Sequence, residues 1–239
     1  MKNKQKYFDK VVLITGASRG IGRAISIYLL KNGANVIGFS KGEPTISNKK
    51  YYHFSVDIRD ITKIKKAFFE ISKKFAKVDI LINNAAVLTS QYSMIMPSEK
   101  AREMVEVNLL GTFFVSREVA KIMQKAKYGR IINISSMASK LEPMGDSIYA
   151  ACKAGVNTLA NVMAKEFSNM NITCNTLGIT AIETDMLNQI PRDKIDKIID
   201  NLPIPRYACL DDIFNVIDFF ASERSSYITA QILFLGGIN

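Results

Sequence analysis

Histidine is almost absent from this chain: His53 stands alone among 239 residues. That scarcity removes two kinds of chemistry. A serine hydrolase needs a histidine base beside its nucleophile, and no G-x-S-x-G elbow occurs anywhere in the chain. A metal enzyme needs His, Cys and carboxylate ligands at close spacing, and no such cluster is written here. His53 is therefore read as structural or partly exposed. Cysteine is scarce too. Cys152, Cys174 and Cys209 are odd in number and widely separated, so they suggest neither a disulfide framework nor a zinc site, but inert thiols. Long hydrophobic runs are missing, and none approaches the ~18 residues that a membrane span needs. Residues 1–9 are polar and lack the apolar stretch and cleavage site of a signal peptide, so the sequence reads as that of a cytoplasmic protein.

What is present fits one globular unit. The chain is 48% hydrophobic, enough for a sizeable core, and its length suits a single α/β domain. The net charge of +10 is spread along the sequence and accompanies no nucleic-acid-binding motif. It reads as a solvated basic surface, or as attraction for ligands that carry phosphate. Short apolar runs at 10–15, 34–39, 51–56, 78–83, 130–135, 171–177 and 231–235 read as strands. Helical patterns fall between them, near 21–32, 60–76, 98–126, 147–168 and 211–221. Several strands are nearly continuous in apolar residues, as expected when helices cover both faces of a parallel sheet. The alternation predicts βαβ units and a doubly wound sheet of about seven strands, with ligands at the carboxyl edge. Two stretches interrupt it. Residues 40–50 form a polar loop, and 186–206, with Pro191, Pro203 and Pro205 around an amphipathic piece at 194–201, reads as a cover over a site.

Three signals carry chemistry. The first is Thr15-Gly16-Ala17-Ser18-Arg19-Gly20-Ile21-Gly22, which follows an apolar strand and opens a helix. Glycines there allow a tight turn and let backbone amides approach a pyrophosphate at the helix N-terminus. The second is an absence. An acid at the end of the second strand would hold a free ribose 2′-hydroxyl, yet that strand ends Gly38-Phe39-Ser40-Lys41. Lys41 and Arg19 are suited instead to a 2′-phosphate, which points to NADPH. The third is Tyr149 and Lys153, four residues apart and so on one helix face. A phenol with a pKa of ~10 is a poor acid near neutrality. A neighbouring ammonium favours the phenolate and is expected to lower that pKa, so the pair can move a proton at a carbonyl oxygen. Ser136, beyond the strand at 130–135, is placed to hold the same oxygen, with Ser135 as the competing choice. Asn108 sits in the long helix at 98–126, where it either positions a water beside Lys153 or satisfies backbone groups.

Together these residues resemble the short-chain dehydrogenase/reductase family along nearly the whole chain. The resemblance implies a single Rossmann-type domain over 1–239, with Asn108, Ser136, Tyr149 and Lys153 as the catalytic group. It assigns Gly16, Ser18, Arg19, Gly20, Ile21 and Gly22 to the cofactor turn, and Ser40 and Lys41 to the second strand's end. Asp57, with Ile58, matches the acid that contacts adenine, and NNAA at 83–86, hence Asn84, Ala85 and Ala86, resembles the family's NNAG. Ile182 and Thr184 match contacts to the carboxamide and phosphates, and Lys153 also binds the nicotinamide ribose in the family. The segments at 129–136, 182–186, 204–206 and 225–237 are similar to those of 3-oxoacyl-acyl-carrier-protein reductases, which reduce a β-keto thioester with NADPH and are usually tetramers. The acyl-carrier-protein thioester is thus the expected substrate. Other ketones, including a sugar or glycan precursor, and a nucleotide-binding scaffold without turnover are the alternatives. A tetramer is also suggested by the apolar Met104, Val107, Leu110, Phe113, Phe114 and Val119 of the long helix, and by Ile232 and Phe234 of the last strand.

This chain departs from the family at several points. Ala86 replaces a glycine, Ile179-Thr180 stands where Pro-Gly is usual, and Leu235 replaces an Asp that often precedes the final Gly-Gly. Met170 occupies a position where the carrier-protein reductases often have a basic residue, with Lys127 available to supply charge on that side.

Overall fold

A computed structural model describes residues 6–184 and 186–238. Seven parallel strands form one sheet: β1 (Val11–Thr15), β2 (Asn35–Ser40), β3 (Tyr51–Ser55), β4 (Ile80–Asn83), β5 (Gly129–Ser136), β6 (Ile172–Ile179) and β7 (Ile232–Phe234). Their spatial order is β3-β2-β1-β4-β5-β6-β7. The chain winds outward from β1 in one direction and then from β4 in the other. The crevice between those two strands is the switch point where such sheets take ligands. Each strand lies within a residue or two of its sequence-predicted span.

The near-continuous apolar runs now have a physical reason. Successive side chains of a strand point to opposite faces. Val11, Leu13, Leu81 and Ile131 enter one core, while Val12, Ile14, Ile80, Ile82, Ile132 and Ile134 enter the other. On the first face pack α2 (Ile61–Lys74), α4 (Thr112–Ala126) and α6 (Ser147–Phe167), contributing Ile64, Val115, Val119, Ala160 and Met163 among others. On the second pack α1 (Gly20–Lys31) and α8 (Leu210–Ala221), through Ile25, Leu29, Ile213 and Ile217. Each such aliphatic side chain, once buried, contributes roughly 1.5–3 kcal/mol.

Two local features escaped the sequence pattern, and a third gives the amphipathic piece at 194–201 its form. The helix expected over 98–126 is α3 (Ser98–Val105), a π-helical turn over Glu106–Gly111, and then α4. A short α5 (Ala138–Leu141) follows β5. The interruption at 186–206 holds α7 (Arg192–Asp200), whose apolar Ile195 and Ile199 pack beneath with Ala181. Among the described residues no helix is long and apolar enough to cross a membrane, and no group of His, Cys, Asp and Glu is arranged to hold a metal. All three cysteines are free, and Cys152 and Cys174 are buried.

Candidate active site

The glycine turn joins β1 to α1 across the switch point. Gly16 and Gly20 have φ of +70° and +52°, a region that L side chains rarely adopt. Gly22 is needed for a different reason, since a Cβ there would lie 2.2 Å from the Gly16 carbonyl oxygen. Beside Gly20 there is open space. The amides at the start of α1 have no side-chain cap, and its first turn holds no acid. In contrast, α2 caps itself: Asp60 accepts from the amides of Thr62 and Lys63, both at 3.0 Å. The open N-terminus of α1, above glycines that keep the approach clear, suits a pyrophosphate. These residues fit a dinucleotide.

The neighbouring loop is tied to this turn by Thr15, the first residue of the motif. The Thr15 hydroxyl accepts from the backbone amides of Asn84 and Ala85, both at 3.0 Å, and the Asn84 side-chain Nδ2 donates to the Thr15 carbonyl oxygen at 3.0 Å. The segment carrying Asn84, Ala85 and Ala86 is thus locked onto the glycine turn. Arg19, at the start of α1, and Lys41, just after β2, are both exposed. Asp57 lies beyond β3 with its carboxylate held by Arg59 at 2.6 Å, which keeps its pKa below the usual range. Ile58 is buried after it, packed where a side chain on Gly111 would collide with its Cδ1.

The catalytic candidates converge at the carboxyl end of β5. Ser136 and Ser135 are adjacent there, and the structure separates them. The Ser135 hydroxyl is buried and donates to the Lys153 carbonyl oxygen at 3.3 Å, a strand-to-helix tie. The Ser136 hydroxyl accepts from the Ala138 amide at 3.2 Å and lies on the Tyr149 side, where it favours the phenolate. Tyr149 and Lys153 are buried on the same face of α6, with the Lys153 ammonium 5.7 Å from the Tyr149 ring centre. The expected lowering of the phenol by that ammonium is not what the structure has. Burial dominates and pushes Tyr149 up to about 12, while Ser136 offsets it only in part. Burial also pulls Lys153 down to about 8, and its Nζ donates to the Ile134 carbonyl oxygen at 2.8 Å. The phenol is thus held in its protonated form near neutrality.

Asn108 occupies the π-helical turn and bonds across to the Val87 backbone. Its side chain accepts from the Val87 amide at 2.8 Å and donates to the Val87 carbonyl oxygen at 2.9 Å. Of the two roles open to it from sequence, the backbone-satisfying one is the contact seen. Its own carbonyl oxygen accepts from Thr112 at 2.9 Å. A π-turn inside an α-helix is a recurrent mark of functional sites. Here it brings Leu109 against α6 at Gly155, where a Cβ would lie 3.2 Å from a Leu109 methyl.

Asp146 is a site neighbour that the motifs do not mark. It holds the N-cap position of α6, a place where Asp normally accepts from helix amides, yet it makes no such bond. It is buried beside Ser90, and its charge raises the Tyr149 pKa. Ile179-Thr180 also has a visible effect. Without a proline, β6 pairs as far as Ile179, opposite Ser136, and the Ile179 carbonyl oxygen accepts from the Met137 amide at 2.8 Å. Ile182 is buried, whereas Thr184 lines a cavity of about 780 Å³ with Leu187, Ile190, Ile195 and Tyr207, under the α7 segment. Met170 packs against the core rather than offering a charge, and Lys127 is exposed.

Comparison with known proteins agrees with this geometry. Residues 10–195 match the short chain dehydrogenase family. The chain is 34% identical to a 3-oxoacyl-[acyl-carrier-protein] reductase of Salmonella typhimurium, over 95% of this chain and 96% of the relative. Among solved structures it is similar to a putative gluconate dehydrogenase from Agrobacterium tumefaciens (TM-score 0.90, 26% identity, 98% and 97% of the two chains). It is equally similar to a short chain dehydrogenase from Leptospira borgpetersenii with bound NAD+ (TM-score 0.90, 26% identity, 100% and 96%). The glycine turn on a doubly wound sheet, the Ser136–Tyr149 pair and the whole-length likeness lead to one conclusion: the chain belongs to the short-chain dehydrogenase family of oxidoreductases.

Proposed function

We propose that this protein is an NADPH-dependent reductase that turns a ketone into a secondary alcohol, with a 3-oxoacyl thioester as its substrate. The observation that carries the reaction is the Tyr149 phenol, buried in its protonated form beside the Ser136 hydroxyl. The thioester reading rests on the 34% identity to a 3-oxoacyl-[acyl-carrier-protein] reductase across nearly both chains. NADPH, when bound, supplies the hydride. Gly16, Ser18, Arg19, Gly20, Ile21 and Gly22 take its phosphates at the N-terminus of α1. Asp57 and Ile58 would take the adenine, Asn84, Ala85 and Ala86 would flank the nucleotide, and Ile182 and Thr184 would contact its carboxamide and phosphates. Ser136 holds the substrate oxygen by a hydrogen bond. Tyr149 gives its Oη proton to that oxygen as negative charge develops there. Lys153 orients the ribose and keeps positive charge beside the phenol. Asn108 fixes the Val87 backbone beneath this group. The free thiols suit a reducing compartment, and we place the enzyme in the cytoplasm.

The test is a substrate comparison with NADPH: an acetoacetyl thioester, a simple ketone and a keto sugar acid. The thioester should be reduced with the highest kcat/KM. Faster turnover of the keto sugar acid would move the assignment toward the chemistry named for the Agrobacterium neighbour.

The preference for NADPH is assigned to Arg19 and Lys41, since no acid ends β2. Replacing both with alanine should narrow the ratio of NADPH to NADH affinity by about tenfold or more, with each charged hydrogen bond contributing ~1.5–3 kcal/mol. Titration of nucleotide fluorescence reads both affinities. Equal affinity of the unmodified protein for the two nucleotides would contradict the assignment.

We propose in addition a homotetramer of D₂ symmetry. The single chain buries Met104, Val107 and Val119 in its own interior, so these three are not interface residues. Leu110 at 40% exposure and Val162 at 46% remain on the α4–α6 side, with Phe113 and Phe114 partly buried beneath Arg117. Ile232 and Phe234 of β7 are also half-buried. Isologous packing of these faces would cover them. Light scattering at working concentration should give four times the subunit mass, and a stable, fully active monomer would refute the assembly.

A further inference from the structure

The loop after β2 that carries Lys41 is held by two side chains of β3, and one of them is the chain's single histidine. The His53 Nε2 lies 2.7 Å from the Gly42 carbonyl oxygen. A carbonyl oxygen only accepts, so Nε2 carries the hydrogen and donates. The Nδ1 atom is then an acceptor, and the Tyr51 hydroxyl faces it at 3.5 Å. Burial raises the Tyr51 pKa, which keeps that hydroxyl protonated as a donor. One turn-residue earlier, the Ser55 hydroxyl donates to the Lys41 carbonyl oxygen at 3.1 Å. Two consecutive carbonyls, at 41 and 42, are therefore pinned from the edge strand.

The same loop is fastened at its other end to the glycine turn. The Thr45 hydroxyl donates to the Ser18 carbonyl oxygen at 2.7 Å, and Arg23 reaches the Thr45 carbonyl oxygen at 3.5 Å. A glycine makes the arrangement possible. Gly38 pairs with His53 across β2 and β3, and a Cβ on Gly38 would lie 2.2 Å from the Tyr51 Oη. The missing side chain lets the Tyr51 ring lie over β2 and reach His53. An otherwise polar, glycine- and proline-containing loop is thus tied at both ends, with Lys41 exposed on it and the exposed Arg19 next to Ser18, whose carbonyl holds Thr45. A long lysine on a free loop loses entropy when it binds, whereas a pinned backbone has already lost it.

We infer that His53 and Ser55 are positioning residues for nucleotide selection, holding the Lys41 backbone so that its ammonium meets a 2′-phosphate. They touch no reacting atom. The inference rests on the NADPH reading, and it places the preference in β3 as well as in the two cations.

The test is direct binding of NADPH and NADH to the full chain, followed by nucleotide fluorescence, for the unmodified protein and for His53→Ala, Ser55→Ala and His53→Gln. A glutamine keeps an N–H donor at the reach of Nε2. A net hydrogen bond is worth a few-fold in affinity, so His53→Ala should raise the NADPH Kd by about threefold to tenfold and leave the NADH Kd within twofold. Ser55→Ala should act in the same direction, and His53→Gln should recover most of the loss. Equal weakening of both nucleotides, no change in either, or failure of His53→Gln to recover would overturn the inference. If His53→Ala does not fold, as judged by its thermal melt, the Ser55→Ala and His53→Gln comparison decides alone. An unmodified protein that binds NADH as tightly as NADPH would refute the cofactor reading itself, before any variant is compared.

Discussion

Replacing Tyr149 with phenylalanine is expected to reduce turnover by roughly 10²–10⁴-fold, the usual contribution of a positioned general acid. NADPH affinity should change little, because the phenol gives a proton rather than holding the dinucleotide. The ring itself should stay in place. It packs with Met104, Ala138 and Ala150, against Val87, Leu88 and Met96, and phenylalanine fills that same apolar site. Steady-state kinetics and a nucleotide titration on the same preparation separate the two effects. Near-normal turnover by Tyr149→Phe would remove the proposed mechanism. Loss of NADPH binding in step with turnover would assign Tyr149 to the nucleotide instead.

Lys153→Ala should damage both turnover and NADPH affinity, the latter by about 10–100-fold if its ammonium makes a charged hydrogen bond to the ribose. The pH profile gives the same residue a second test. Burial holds the Lys153 ammonium down at about 8, so it is charged below that pH and neutral above it. Tyr149, pushed up to about 12, keeps its proton across the same range. The kcat/KM for reduction should therefore fall as pH rises through about 8, because Lys153 loses its charge and not because Tyr149 loses its proton. In Lys153→Ala that limb should vanish from the residual activity. A limb that persists unchanged in the variant would assign the titration to another group.

Much of the fold is legible in the sequence, because its signals are local and repeated. Ile80, Leu81 and Ile82 feed alternate cores, so β4 had to be apolar on both faces, and a run of that kind is visible in the letters alone. The glycine turn was legible for a related reason: Gly16 and Gly22 answer to backbone geometry and close contact that few other residues tolerate. The π-helical turn was hidden. It accompanies the bond from Asn108 to Val87, 21 positions away, and nothing in a helical periodicity records such a partner. The lowered phenol pKa was also wrongly anticipated. Spacing put Lys153 and Tyr149 on one face, but it could not reveal that the ammonium would turn to the Ile134 carbonyl oxygen or that burial would outweigh it. The choice of Ser136 over Ser135 needed the strand's pleat, which sends Ser135 into the buried tie with α6. Counting apolar residues in the helix at 98–126 overstated its free surface, since Met104, Val107 and Val119 are core.

The central claim is that this chain moves a hydride and a proton onto the ketone of a 3-oxoacyl thioester. A single turnover tests it most directly. Protein loaded with one equivalent of NADPH per subunit is mixed with excess acetoacetyl thioester, and both nucleotide and acyl product are quantified. The account predicts oxidation of the bound NADPH with an equal amount of 3-hydroxyacyl thioester formed. NADPH that stays reduced, or is oxidised without that product, would contradict it.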